Sequence, residues 1–113
     1  MVFHIVIFKL IQNNDDAIDF IKRELLSLKK LPEVLGLDIV EKDAVIKNDI
    51  EGDIVLFSQF KNRKDLQSYM EAPIHLEVIK NTSGNIEKKH ILDFNSTVFD
   101  NFINQKLIKD TTL

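Results

Sequence analysis

The stretch Val2-Phe3-His4-Ile5-Val6-Ile7-Phe8-Lys9 decides the fold. Extended, it places Val2, His4, Val6 and Phe8 on one face and Phe3, Ile5, Ile7 and Lys9 on the other, since side chains alternate along a strand. A strand with one face in water alternates apolar and polar residues. Here both faces are apolar, which predicts a strand covered on two sides. Ile54-Val55-Leu56-Phe57, at the head of a run that ends at Phe60, has the same character.

The residues around these two strands complete an architecture. From Asn14, Ile18, Ile21, Leu25 and Leu28 recur at helical spacing, with Asn14 or Asp15 as cap and Pro32 ending the run near Leu31. Gly36 opens a strand through Leu37, Ile39 and Glu41, and the polar stretch from Asn48 to Gly52 makes a turn into Ile54. Asn62, with Asp65 three residues on, resembles a capping box for a second helix carrying Leu66, Tyr69 and Met70. Pro73 suits the first position of a third helix with Ile74, His75, Val78 and Ile79. His90 to Phe94 reads as a last strand, and Val98, Phe99, Phe102, Ile103 and Leu107 form an apolar stripe for a C-terminal helix over 98–108.

The order β-α-β-β-α-α-β is the split βαβ arrangement, an α+β, ferredoxin-like fold with a four-stranded antiparallel sheet and helices on one face. The other face would then present Phe3, Ile5 and Ile7. At roughly 25 cal/mol per Å², a patch of a few hundred Å² drives association strongly. A second copy, sheet against sheet about a two-fold axis, would close a dimeric α+β barrel. A C-terminal helix, from the same chain or swapped, is the competing cover.

Composition narrows the functions. A chain of 113 residues is sized for one domain. With no cysteine, disulfide frameworks, thiol nucleophiles and zinc ribbons are excluded. The opening run lacks the cationic flank and small-residue cleavage site of a secretory signal, so a cytoplasmic protein is expected. No apolar stretch approaches the roughly 18 residues of a membrane span. The formal charge of −3 gives no cationic field for nucleic acid. RNA-recognition modules share the strand order, but Ile54-Val55-Leu56-Phe57-Ser58-Gln59-Phe60 lacks their basic, Gly-containing consensus. The three isolated glycines form no phosphate cradle, and the histidines lack metal-ligand spacing, so neither a cofactor nor a metal is expected.

One set of motifs goes further. His4-Ile5-Val6-Ile7-Phe8-Lys9, Leu35-Gly36-Leu37, Gly52-Asp53-Ile54-Val55-Leu56-Phe57, Leu66-Gln67-Ser68-Tyr69, Ala72-Pro73-Ile74-His75 and Leu92-Asp93-Phe94 together resemble the stress-responsive α/β barrel (Dabb) domain over about residues 3–94. Ala72 stands where that family often has a second histidine. The resemblance implies a dimeric α+β barrel over residues 1–95, leaving 96–113 as a C-terminal helical extension. It also implies a site: a plant polyketide cyclase of the family uses a Tyr and a His at places matching Tyr69 and His75. His75 would then be general base, Tyr69 the hydroxyl that steadies a developing enolate, and His4 an orienting group.

The residues themselves leave other readings open. A lone His4 on an apolar strand face is commonly a satisfied core residue, and Tyr69 suits a half-buried helical aromatic whose hydroxyl reaches water. The leading expectation is a homodimer, paired through its sheet face, with an apolar pocket between sheet and helices for a small apolar carbonyl ligand. The alternatives are a non-catalytic stress-associated structural module and a cofactor-free monooxygenase of the related barrel type. A void of roughly 300 Å³ or more beside Tyr69 and His75 would favour the first.

Overall fold

The computed structural model of the chain describes residues 1–95 and residue 97. The expected helix over 98–108 and nearly all of the 96–113 extension lie outside these residues. Four strands, β1 (Val2–Leu10), β2 (Gly36–Glu41), β3 (Ile54–Phe60) and β4 (Ile86–Asn95), form one sheet in the order β2-β3-β1-β4, every neighbouring pair antiparallel. The helices are α1 (Asp15–Leu26), α2 (Arg63–Glu71) and α3 (Pro73–Thr82). This is the split βαβ arrangement expected from the strand order.

Local chemistry sets the helix ends. The Asn14 side chain accepts the Ala17 N–H at 2.9 Å, and the Asn62 side chain accepts the Asp65 N–H at 2.8 Å, each capping an otherwise unpaired donor. Pro73 starts α3, where its missing N–H costs nothing. Beyond α1 the chain tightens into a 3-10 turn, Ser27–Lys30, before Pro32.

Ile21, Leu25 and Leu28 from the first helical segment meet Val6, Phe8, Ile54, Leu56 and Phe60 from the central strands to make the core. The β2–β3 connection is held by Asn48, whose amide donates to the Gly52 carbonyl at 2.7 Å while its oxygen accepts the Gly52 N–H at 2.9 Å. A Cβ on Gly52 would come within 2.5 Å of Ile7 Cγ2, so only glycine lets this turn lie against β1. The buried Asp53 carboxylate then accepts the Leu10 N–H at 2.8 Å.

The last strand is longer than expected. It begins at Ile86 rather than His90, because β1 supplies pairing partners from Val2 through Leu10 and the polar segment Glu87-Lys88-Lys89 extends along that edge. Register also sorts the faces. Val2, His4, Val6 and Phe8 look toward the helices, in line with Asp93, Ile91 and Lys89 of β4. Ile5 and Ile7 look the other way, in line with Phe57 and Val55 of β3 and Leu92 and His90 of β4. Phe57 and Leu92 are exposed there, Leu92 by 60%.

Candidate functional site

The helix-covered face carries the polar groups that sequence reading singled out. β1 brings His4 into the interior at 2% exposure, α2 brings in Tyr69 at 0%, and α3 brings in His75 at 7%. The Tyr69 ring lies near both imidazoles, its centroid 4.6 Å from that of His75 and 6.2 Å from that of His4, both edge-on. Phe60 closes on Tyr69 at 4.8 Å and supplies an apolar wall. The three expected site residues therefore converge, and the Pro73 start of α3 is what turns His75 back toward Tyr69.

Their polar atoms are in different states. His4 Nδ1 is paired with the Asp93 carboxylate, which fixes the imidazole ring, while the Asp93 side chain remains 44% exposed. Tyr69 Oη and His75 Nδ1 are buried with no hydrogen-bond partner among the described residues. The Tyr69 hydroxyl thus does not reach water, contrary to the half-buried alternative. Leaving such groups unpaired in an interior costs on the order of 1–3 kcal/mol each, and buried polar groups in folded proteins are nearly always paired.

Titration follows from the same geometry. Burial pushes the Tyr69 phenol well above its usual value, so it stays protonated throughout the physiological range. Burial likewise lowers the His75 value; the charges of His4 and Lys89 act the same way, and the Met70 carbonyl opposes them. A neutral imidazole that can accept a proton thus faces a phenol that keeps one.

Beside them lies a cavity of about 70 Å³. His4, Val6, Leu56 and His75 line its inner part, and Lys89 and Ile91 lie toward solvent. It falls short of the roughly 300 Å³ of a drug-sized site, and Tyr69 stands behind its wall rather than along it. Packing explains the difference: the Phe60 and Tyr69 rings fill space that smaller side chains would leave open. Among the described residues, no three His, Asp or Glu side chains group as metal ligands, and no helix is long and apolar enough to cross a membrane.

Sequence reading missed Asp93 as a site residue. Its signal was faint: an acidic residue in a strand that would otherwise be apolar, on the face that β1–β4 pairing gives to His4. Without the register, nothing joined two residues so far apart in the chain.

The architecture is that of the small ferredoxin-like α+β proteins, and solved structures bear this out. A dimeric protein of ferredoxin-like fold from Bacteroides fragilis superposes with a TM-score of 0.69 at 22% identity, covering 83% of this chain and 94% of that one. A Dabb family protein from Mesorhizobium loti gives 0.68 at 18% identity, with 83% and 94% coverage. A hydroxynitrile lyase from Passiflora edulis gives 0.69 at 23% identity, with 85% and 94% coverage. No curated protein matches the sequence. The stress responsive A/B barrel domain (Dabb) family matches residues 2–96, and the chain belongs to that family.

Proposed function

We propose that the chain is a homodimeric small-molecule-binding protein whose pocket between sheet and helices performs acid–base chemistry on a carbonyl compound. The observation that carries this reading is the pair of buried, unpartnered polar atoms, Tyr69 Oη and His75 Nδ1, on touching rings beside a cavity. A merely structural Tyr–His contact would be expected to satisfy itself, whereas a ligand carbonyl and its acidic C–H would satisfy both groups at once.

In this reading His75, neutral near pH 7, takes the proton α to the carbonyl. The Tyr69 O–H donates to the oxygen as negative charge develops on it, and the water-poor surroundings strengthen that bond. His4, held by Asp93, orients the ligand. Reaching Tyr69 requires the cavity lining to yield, because the resting cavity is small and Tyr69 stands behind its wall. The small cavity also favours the second reading, a non-catalytic module with a filled core.

Assembly belongs to the same proposal. The sheet face opposite the helices presents Val40, Phe57 and Leu92 to solvent with Ile5, Ile7 and Val55 half-buried among them, and the Bacteroides fragilis neighbour is described as dimeric. A second copy seated on this face would bury the patch, and a stable interface of this kind covers about 1,200 Å² or more. The domain of residues 1–95 is the unit that would pair.

The test is binding and turnover with a panel of β-keto acids and poly-β-keto thioesters, in the wild type, His75→Ala and Tyr69→Phe. Loss of turnover in both variants is expected. If the wild type engages none of the panel, or both variants match it, the non-catalytic module remains.

A further inference from the structure

We infer that the pocket takes its carbonyl ligand as an anion, a short keto acid whose carboxylate pairs with Lys89 at the mouth while its carbonyl lies toward His75 and Tyr69. This rests on the pocket reading above and adds to it the charge and size of the ligand. Lys89 is opposite Phe8 in the β1–β4 register, so its side chain leaves the sheet on the helix side. It lines the cavity together with His75, and its neighbours at the rim, Ile79 and Ile91, are apolar and exposed.

The ammonium is available. Among the described residues no carboxylate lies within 4.0 Å of Lys89, whereas Lys9 has two and Lys22 and Lys47 have one each. The two acidic residues of the same strand are engaged elsewhere, Glu87 with Lys9 at 3.4 Å and Asp93 with His4. A cation on an apolar rim attracts an anion more strongly than one surrounded by water, because the local dielectric is lower. The cavity of about 70 Å³ limits what enters to a short acyl chain.

The arrangement couples binding to proton transfer. Burial above all keeps His75 a vacant acceptor, and the charges of His4 and of free Lys89 add to it. A bound carboxylate offsets the Lys89 charge and raises the proton affinity of the imidazole when the ligand is in place. The other ionisable groups facing His75 are His4, which acts in the same direction as Lys89, and Tyr69, which stays neutral. Asp93 faces His4.

Acetoacetate and its uncharged methyl ester separate the possibilities. Each is titrated into the full chain while the His75 ring signals are followed by NMR, in the wild type, Lys89→Met and Lys89→Arg. The wild type is expected to prefer the acid by about tenfold or more, with the His75 pKa rising on binding. Lys89→Met should lose that preference while still binding the ester, and Lys89→Arg should keep it. Equal binding of acid and ester by the wild type, or an unchanged preference in Lys89→Met, overturns the anion inference while ester binding leaves the pocket reading standing. If neither compound moves the His75 signals, both fall.

Discussion

The two faces of the sheet are built from the same strands and are similarly rich in Val, Ile, Leu and Phe, yet they treat polar groups in opposite ways. The face under the helices is covered by Ile21, Leu25, Leu28 and Val78 except along its β4 edge, where Ile91 stays exposed, and it admits His4, Ser58, Tyr69 and His75 to the interior. Its opposite has no helix over it among the described residues and still exposes Phe57 and Leu92. A protein optimised only as a monomer would place its polar side chains the other way round. The inversion fits the proposed division of the sheet, with titratable groups enclosed on one side and a surface for a second copy on the other.

Charging the exposed face should give the largest effect. Leu92→Asp, directly opposite Ile5 in the register, would bury a carboxylate against a partner's apolar surface. It is expected to convert a species of twice 13.1 kDa into one of 13.1 kDa by light scattering, with the fold intact by circular dichroism. A wild type that already runs as a single chain at micromolar concentration would mean that the exposed face meets no second copy.

Next is the covered face. Phe60 is fully buried and touches Tyr69, so Phe60→Ala should cost about 3–5 kcal/mol in urea denaturation. The same truncation at exposed Phe57 should cost far less in a variant already made monomeric. Comparable losses at both positions would mean that the exposed face is as well covered within one chain as the other.

Tyr69→Phe sharpens the contrast further. Deleting a buried hydroxyl that has no partner should leave stability unchanged or raise it by about 1 kcal/mol, while turnover falls. A residue retained for packing would lose stability and leave function alone.

The smallest effect concerns acid. The folded-state pKa of His75 is depressed below the value near 6.5 of an unfolded histidine, so between the two values the unfolded chain binds more protons and stability rises with pH. The contribution of His75 is therefore complete above about pH 6.5 and is lost as pH falls through the folded value. His75→Gln should flatten the stability profile in that window when denaturant midpoints are compared across pH.

Much of this arrangement was legible in the sequence, for reasons that differ by element. The two central strands declared themselves because segments as apolar on both faces as Val2–Phe8 and Ile54–Phe57, and too short for a core helix, fit best in the middle of a sheet covered on two sides. The helices followed from the Asn14 and Asn62 caps and Pro73. β4 was legible only from His90 onward, since its first half is charged and owes its extended form to pairing with β1 rather than to its own composition. At the site, residue type offered three histidines and one tyrosine, and it was the motif resemblance that picked out His4, Tyr69 and His75. What could not be read was anything set by register. Asp93 behind His4 and Lys89 at the cavity mouth are both consequences of which β4 residue lies opposite which β1 residue.

The place of β1 between β3 and β4 has a consequence for how the chain acquires its form. Of the four strands, Val2–Leu10 is made before the others and has no sheet partner until Ile54–Phe60 has been made and lacks its second until Ile86–Asn95 has followed. Contacts of such long sequence separation make folding slow, and an unpaired strand apolar on both sides is an aggregation hazard while it waits. Synthesis therefore leaves this strand, apolar on both faces, without its full set of partners until the last of the four strands is made. A nascent chain stalled before Ile86 should be held by chaperones that a chain released after Asn95 escapes, and the same late pairing brings Asp93 to His4 as the sheet closes.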